Sequence, residues 1–261
     1  MRFCSLGSGS GGNATVVEAS QGITSTRVLI DAGFSLRELT RRLGLRGLSP
    51  DDLDAIFITH EHGDHIGCAL NLAQRHGIPI WTSAGTWQAL RAEDVDAKLR
   101  HVARAGEAIP LGDLCLQPFA VPHDAMEPLQ LRCHDGARHL GVLTDAGSIS
   151  PGMRDALAGC HALLLECNHD VEMLRGNASY PASLKRRILG SHGHLSNQQA
   201  AELLAACLHP GLRQVVAAHL SERNNLPELA MAELLAARGT AGGCEIRIAE
   251  QATGVDWQVL S

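Results

Sequence analysis

Four side chains able to bind a metal, His60, His62, Asp64 and His65, stand within the run Thr59-His60-Glu61-His62-Gly63-Asp64-His65. They follow Ala55-Ile56-Phe57-Ile58, which reads as a buried strand. This placement constrains the fold more than any other feature. Residues two apart leave a strand on the same side, so His60 and His62 can meet one ion. Asp64 and His65 fall where the chain turns into the next helix and can aim at a second. Neutral imidazole and carboxylate together suit zinc or manganese, with iron a further candidate.

The remaining pattern mixes short strands and helices. Strands are expected at residues 2–6, 14–19, 27–30, 55–59, 78–82, 114–121, 139–144, 162–165, 215–218, 245–249 and 256–260. Helices are expected at 35–43 with Gly44 as the stop, after Pro50, at 66–75, from about Thr86, and at 151–157, 181–189 and 227–237. Ser196 with Gln199 forms a capping box before a helix running to Leu208. Residues 93–108 are polar and give no clear element. Each half begins with strands and continues with helices, which suggests two sheets packed together with helices outside. No Pro/Ser-rich linker divides the halves, so a single domain over residues 1–261 is expected.

Several strand ends carry further acids and imidazoles. Asp31 closes Ile30-Asp31-Ala32-Gly33, His123 stands in Pro122-His123-Asp124, Asp145 in Thr144-Asp145-Ala146-Gly147, and His219 in Ala218-His219-Leu220. Strand-end loops are where function concentrates. Gly7, Gly9 and Gly12 make a formal GxGxxG, but a strand rather than a helix follows, which argues against a dinucleotide site.

Taken in order, Asp31, the His60–His65 run, His123, Asp145 and His219 resemble the five motifs of the metallo-β-lactamase fold. The resemblance covers nearly the whole chain. It implies an α/β fold of the αββα sandwich type, two mixed β-sheets packed face to face, with two divalent metal ions at one edge. It also implies that His60, His62 and His123 hold one metal and Asp64, His65 and His219 the other. Asp145 would bridge them, and Asp31 would orient the cluster by hydrogen bonds. The segments Ser8–Asn13, Glu166-Cys167-Asn168-His169-Asp170, Gly193-His194-Leu195-Ser196-Asn197 and His219–Asn225 are similar to the YycJ/WalJ group. That resemblance implies a cytoplasmic nuclease with 5′-to-3′ exonuclease activity on DNA.

On this reading the metals share a hydroxide that attacks phosphorus, with Asp64 in the catalytic set. His194, or His169 in its place, would supply the proton for the leaving oxygen. Ser10, Asn13, Asn168, His169 and Asn225 are candidates for holding the substrate. Lys185-Arg186-Arg187 and the stretch Arg37, Arg41, Arg42 and Arg46 are candidates for gripping phosphates. A formal net charge of −6 makes any such basic patch local. The eight cysteines form no CxxC pair and fit a reducing cytoplasm. No apolar run is long enough to span a membrane. Two other readings remain: a hydrolase of a small ester such as a lactone, thioester or cyclic phosphodiester, and a non-catalytic DNA-repair or signalling scaffold. The complete ligand set argues against the second.

Overall fold

The computed structural model describes residues 1–240 and 243–260. Fourteen strands form two seven-stranded sheets among these residues. The first contains β1 (Arg2–Gly7), β2 (Ala14–Gln21), β3 (Thr24–Ile30), β4 (Ala55–Phe57), β5 (Ile80–Thr82) and β6 (Arg100–Val102). The second contains β7 (Ile109–Leu111), β8 (Leu114–Ala120), β9 (Leu129–His134), β10 (His139–Leu143), β11 (Ala162–Glu166), β12 (Gln214–Ala218) and β13 (Glu245–Ile248). The last strand, β14 (Val255–Val259), returns to pair antiparallel with β1. Strands β3 to β6 are mutually parallel, as are β10 to β13. The other neighbours are antiparallel, so both sheets are mixed.

Period-two alternation assigns the layers. Val28, Ile30 and Phe57 of the first sheet and Val142, Leu164 and Val216 of the second share one buried cluster between the sheets. Their chain neighbours Leu29, Ile56 and Ile58 turn outward onto α1 (Leu36–Leu45), α3 (Ala69–His76) and α4 (Ala84–Leu90). Leu163, Leu165, Val215 and Ala217 turn outward onto α5 (Pro151–Leu157), α8 (Asn197–Cys207) and α9 (Pro227–Arg238). Strands buried on both faces carry continuous apolar runs, as parallel sheets covered by helices require. The expected αββα sandwich is the observed architecture.

Several boundaries differ from the sequence reading for identifiable reasons. Helix α1 passes through Gly44 and stops at Gly47. There the Leu48 N–H reaches Leu43 O, the Gly47 N–H reaches Gly44 O, and φ is +73° at Gly47, a Schellman stop one turn later than expected. The helix expected at 66–75 is two, a single turn α2 (Gly63–Ile66) and then α3. They break at Gly67, whose added Cβ would meet Ala32 O at 2.4 Å, so the backbone there lies directly on the Asp31–Gly33 loop. Strand β9 and the short helix α6 (Val171–Gly176), capped by Asp170, have no counterpart in the expected elements. Residues 93–108 contain only the edge strand β6 and one 3-10 turn. The seven-residue α7 (Ala182–Ile188) buries no side chain.

Candidate metal centre and its cavity

The parallel strands bring their carboxyl ends together, the position where open α/β sheets carry their sites. Asp31 follows β3 and His60 follows β4, while Asp145 follows β10, Glu166 ends β11 and His219 follows β12. The register pairs Ile30 with Phe57 and Glu166 with Ala218, which sets these ends level. Asp31 and His219 both have left-handed backbone, with φ of +60° and +54°. This conformation is costly for a residue with a Cβ, and it is retained here where the chain turns away from the sheet.

Three nitrogens converge first. His60 Nε2 lies 3.0 Å from His62 Nδ1, and His123 Nε2 lies 3.3 Å from the same atom. Tetrahedral bonds of about 2.0–2.1 Å to nitrogen give ligand–ligand edges of about 3.3 Å, so these nitrogens stand at ligand spacing. A second group joins Asp64, His65 and His219. Here His65 Nε2 is 3.6 Å and His219 Nε2 is 3.4 Å from Asp64 Oδ2. Asp145 lies between the groups, with Oδ2 2.9 Å from His65 Nε2 and Oδ1 3.8 Å from His123 Nε2. Asp145 Oδ2 and His219 Nε2 are buried yet form no hydrogen bond. Buried polar atoms are ordinarily satisfied, and two aimed at a cluster of imidazoles and carboxylates fit cation coordination.

The opposite ring atoms are held by protein. His65 Nδ1–H donates to Asp31 Oδ2 at 2.7 Å, His123 Nδ1–H to Gly193 O at 2.9 Å, and His219 Nδ1–H to Thr144 O at 2.8 Å. His60 Nδ1–H reaches Thr59 Oγ1 at 3.0 Å, and that hydroxyl donates to Asp31. Each bond selects the tautomer that leaves Nε2 as a lone-pair donor. Asp31 thus contacts His65 directly and His60 through Thr59. The loop carrying Asp64 depends on one close approach: a Cβ at Gly33 would sit 1.7 Å from Asp64 O, which also accepts the Asn13 N–H at 2.8 Å.

The electrostatics are those of a buried, strongly coupled cluster. Burial alone would raise the Asp145 carboxyl, but the His219 and His65 imidazoles outweigh it and hold Asp145 well below the usual carboxylate range. Burial likewise opposes charge on His65, yet Asp145 and Asp31 push it up to about 10. His219 is raised well above its ordinary value against burial, first by Asp145. His60, fully buried and beside His65, is lowered well below the ordinary histidine range. The carboxylates are thus held ionised and favour positive charge on the groups that face them.

A cavity of about 350 Å³ opens above the cluster. Ser10, Asn168 and Ser221 provide uncharged polar groups in its lining, and Tyr180, Leu184 and Ile188 provide an apolar part. His194 also lines it. Its Nδ1–H donates to Glu166 Oε1 at 2.8 Å and lies 3.2 Å from Asp145 Oδ1, and these bonds push His194 up to about 9 against the effect of burial. Glu166 is itself fully buried, and its Oε2 accepts the Ala146 N–H at 2.8 Å and the Leu195 N–H at 3.2 Å. Glu166 was visible in the sequence only as one residue of a motif. Its signal is the same as that of Asp31 and Asp145, an acid closing an apolar strand.

Three expected substrate contacts lie outside the cavity lining, although the Asn13 side-chain amide reaches His65 Nε2 at 3.2 Å. Asn13 is buried. Its Oδ1 accepts from Gly9 N at 2.9 Å and Ser8 Oγ at 3.0 Å, and Ser8 Oγ accepts the His219 N–H at 2.8 Å, so Asn13 shapes the glycine loop. Asn225 is buried in an amide pair with Asn197 and donates to Cys167 O at 2.8 Å. His169 is 1% exposed and outside the cavity lining, and burial pushes its imidazole down to about 4. The basic stretches are also largely engaged. Arg42 donates to Glu38, Leu6 O and Gln251 O, Arg46 to Thr253 O, and Arg41 to Glu38. Lys185 Nζ donates to Arg175 O at 2.6 Å, and Arg187 pairs with Asp124.

Histidines and carboxylates gathered at the strand ends of an αββα sandwich define a metal-dependent hydrolase of the metallo-β-lactamase type. Comparison with known proteins agrees. The family described as "Beta-lactamase superfamily domain" matches residues 26–220. The exodeoxyribonuclease WalJ of Streptococcus pneumoniae is 37% identical over 233 residues, covering 88% of this chain and 85% of that one. The exodeoxyribonuclease YycJ of Bacillus anthracis is 35% identical over 232 residues, covering 88% and 86%. The metallo-β-lactamase fold protein YhfI of Bacillus subtilis superposes with a TM-score of 0.73 at 16% identity, covering 98% of each chain. The chain belongs to the beta-lactamase superfamily and, within it, to the group formed by WalJ and YycJ.

Proposed function

We propose that this chain is a two-metal phosphodiesterase that acts as a 5′-to-3′ DNA exonuclease, with zinc or manganese as its ions. One observation carries the reading: seven donors meet in one cluster, and a carboxylate-held histidine lines the cavity above it. His60, His62 and His123 would hold one ion, Asp64, His65 and His219 the other, and Asp145 both. Bound there, two divalent ions would supply a water-derived nucleophile at neutral pH and neutralise charge on the phosphate oxygens. The WalJ and YycJ proteins, alike over 85% or more of their length, support DNA as the polymer.

The chain's own residues would do the remaining work. Glu166 fixes the His194 ring, whose Nε2 has no hydrogen bond to any of the described residues. From there His194 donates a proton to the leaving oxygen. Ser10, Asn168 and Ser221 line the cavity at positions suited to hydrogen-bond the phosphate. Asp31 and Gly193 keep the His65 and His123 rings in place as charge moves.

Residues 1–261 act as one domain on this reading, because both sheets bury into a shared cluster. Eight free cysteines suit a reducing cytoplasm, and no helix among the described residues is long and apolar enough to cross a membrane. The deciding experiment compares turnover of 5′-phosphorylated duplex DNA, bis-p-nitrophenyl phosphate, a lactone and a thioester by protein loaded with each metal. Release of nucleotides from the 5′ end is expected. Cleavage of the lactone or thioester without phosphodiester turnover would establish the small-ester reading instead.

A further inference from the structure

Helix α7 is amphipathic but does not use its apolar side to build the core. It buries no residue, and Leu184 and Ile188, one turn apart on a shared face, line the cavity above the metal cluster instead. The chain's single tyrosine, Tyr180, stands just before this helix and lines the same cavity. Only 3% of the residues are aromatic, so a half-exposed ring over a polar site is not surplus core. The segment is also held in place. Asp170 caps α6 by accepting the Met173 N–H at 2.8 Å, and Lys185 ties α7 back to α6 through Arg175 O at 2.6 Å. Arg187 of the same helix pairs with Asp124, the neighbour of His123.

An apolar wall over a phosphodiester-cleaving centre matches an apolar group on the substrate, and in a nucleic acid the broadest apolar face is that of the base. We propose that Tyr180, Leu184 and Ile188 form a subsite for the base of the terminal nucleotide, the one released on cleavage. This inference rests on the nuclease reading above. A cavity of about 350 Å³ accommodates one nucleotide unit between this wall and the metal cluster. A stacking face tolerates all bases because each presents a π-surface, so the subsite recognises that a base is present and not which one. It accounts for the apolar strip of Tyr180, Leu184 and Ile188 in a lining that otherwise holds the histidines, carboxylates and hydroxyls, with Arg187 of α7 beside it.

The test uses the metal-loaded protein on duplex DNA in which the terminal nucleotide carries its base or is replaced by a tetrahydrofuran abasic unit, made separately for the 5′ and 3′ ends. The wild type should cleave the base-bearing end about tenfold or more faster in kcat/KM than the abasic one. Tyr180→Ala should collapse that ratio toward one, Tyr180→Phe should keep it, and Leu184→Ser should reduce it. A structural role for Tyr180 would change both substrates alike and leave the ratio intact. A wild type indifferent to the terminal base, or Tyr180→Ala with the ratio retained, overturns the subsite while leaving the exonuclease reading standing. No cleavage of either DNA end, with bis-p-nitrophenyl phosphate still turned over, overturns both.

Discussion

Glu166 Oε1 and His194 Nδ1 stand 2.8 Å apart at the edge of the metal cluster, joining the end of β11 to the loop before α8. The carboxylate is fully buried and spends its other oxygen on two backbone N–H groups, so it has little freedom to move. If the pair acts as a unit, its members should not add. His194→Ala and Glu166→Gln should each lower kcat by about 10²–10⁴-fold, with a smaller effect on KM. The double variant should be little worse than His194→Ala alone. Full additivity in this cycle would separate Glu166 from the role of His194.

Asp31 holds His65 and, through Thr59, His60. It touches the ligands and not the cavity lining. Asp31→Asn should therefore weaken metal affinity by about 10–100-fold. Activity should return at high metal concentration. Competition titration with a chelating dye measures the first effect, and unchanged affinity would contradict the orienting role.

The two basic stretches should behave differently. Arg42 joins α1 to the carbonyls of Leu6 and Gln251, with its guanidinium carbon 4.2 Å from the centre of the Phe34 ring. Arg42→Ala should cost about 1–3 kcal/mol in chemical denaturation and leave the salt dependence of DNA binding unchanged. Arg186 is exposed on α7, the helix whose Leu184 and Ile188 line the cavity. Arg186→Ala should reduce the slope of log K against log salt by about one, with little change in stability. The reverse assignment of effects would show that α1, and not α7, meets the phosphates.

Glu18 accepts from Arg2 Nε and Arg27 Nε, each at 2.6 Å. Burial opposes its charge, but the two guanidiniums outweigh it and lower its pKa below the ordinary 4.5. A carboxyl depressed on folding adds stability above its unfolded value and loses it as pH falls through the folded one. Glu18→Gln should thus destabilise the protein by about 1–3 kcal/mol at neutral pH, and the difference should shrink below pH 4.5. Denaturation curves at several pH values test this, and a gap that widens in acid would contradict it.

Much of the centre was legible because its residues end apolar strands. The His60–His65 run, Asp31, His123, Asp145 and His219 each close a segment whose strand character the sequence displays, and the structure brings all of them together. The layer order followed from the same alternation. What was not legible depends on contacts across distant segments. The glycine loop suggests Asn13 as a phosphate contact, yet its Oδ1 is taken by Gly9 and Ser8 and its NH2 group is turned to Gly9 O and His65 Nε2. Asn225 pairs with Asn197, 28 residues away, and no local pattern announces that. The charges of Arg42 and Arg46 suggested a nucleic-acid grip until their carbonyl partners near the two chain ends were seen. Strand β9 alternates as Leu129-Gln130-Leu131-Arg132-Cys133, so its signal was present, but Gln130 is buried against Thr144 where a polar residue reads as exposed.

A metal titration followed in both occupancy and activity decides whether this cluster is the catalytic centre. Chelated protein should release no nucleotides from 5′-phosphorylated duplex DNA. Activity should rise with added manganese or zinc and level off at two ions per chain. Asp64→Ala should fold, bind less than two ions and stay inactive at saturation. Full activity in the metal-free protein, or in Asp64→Ala, would contradict the assignment of this cluster as the catalytic centre.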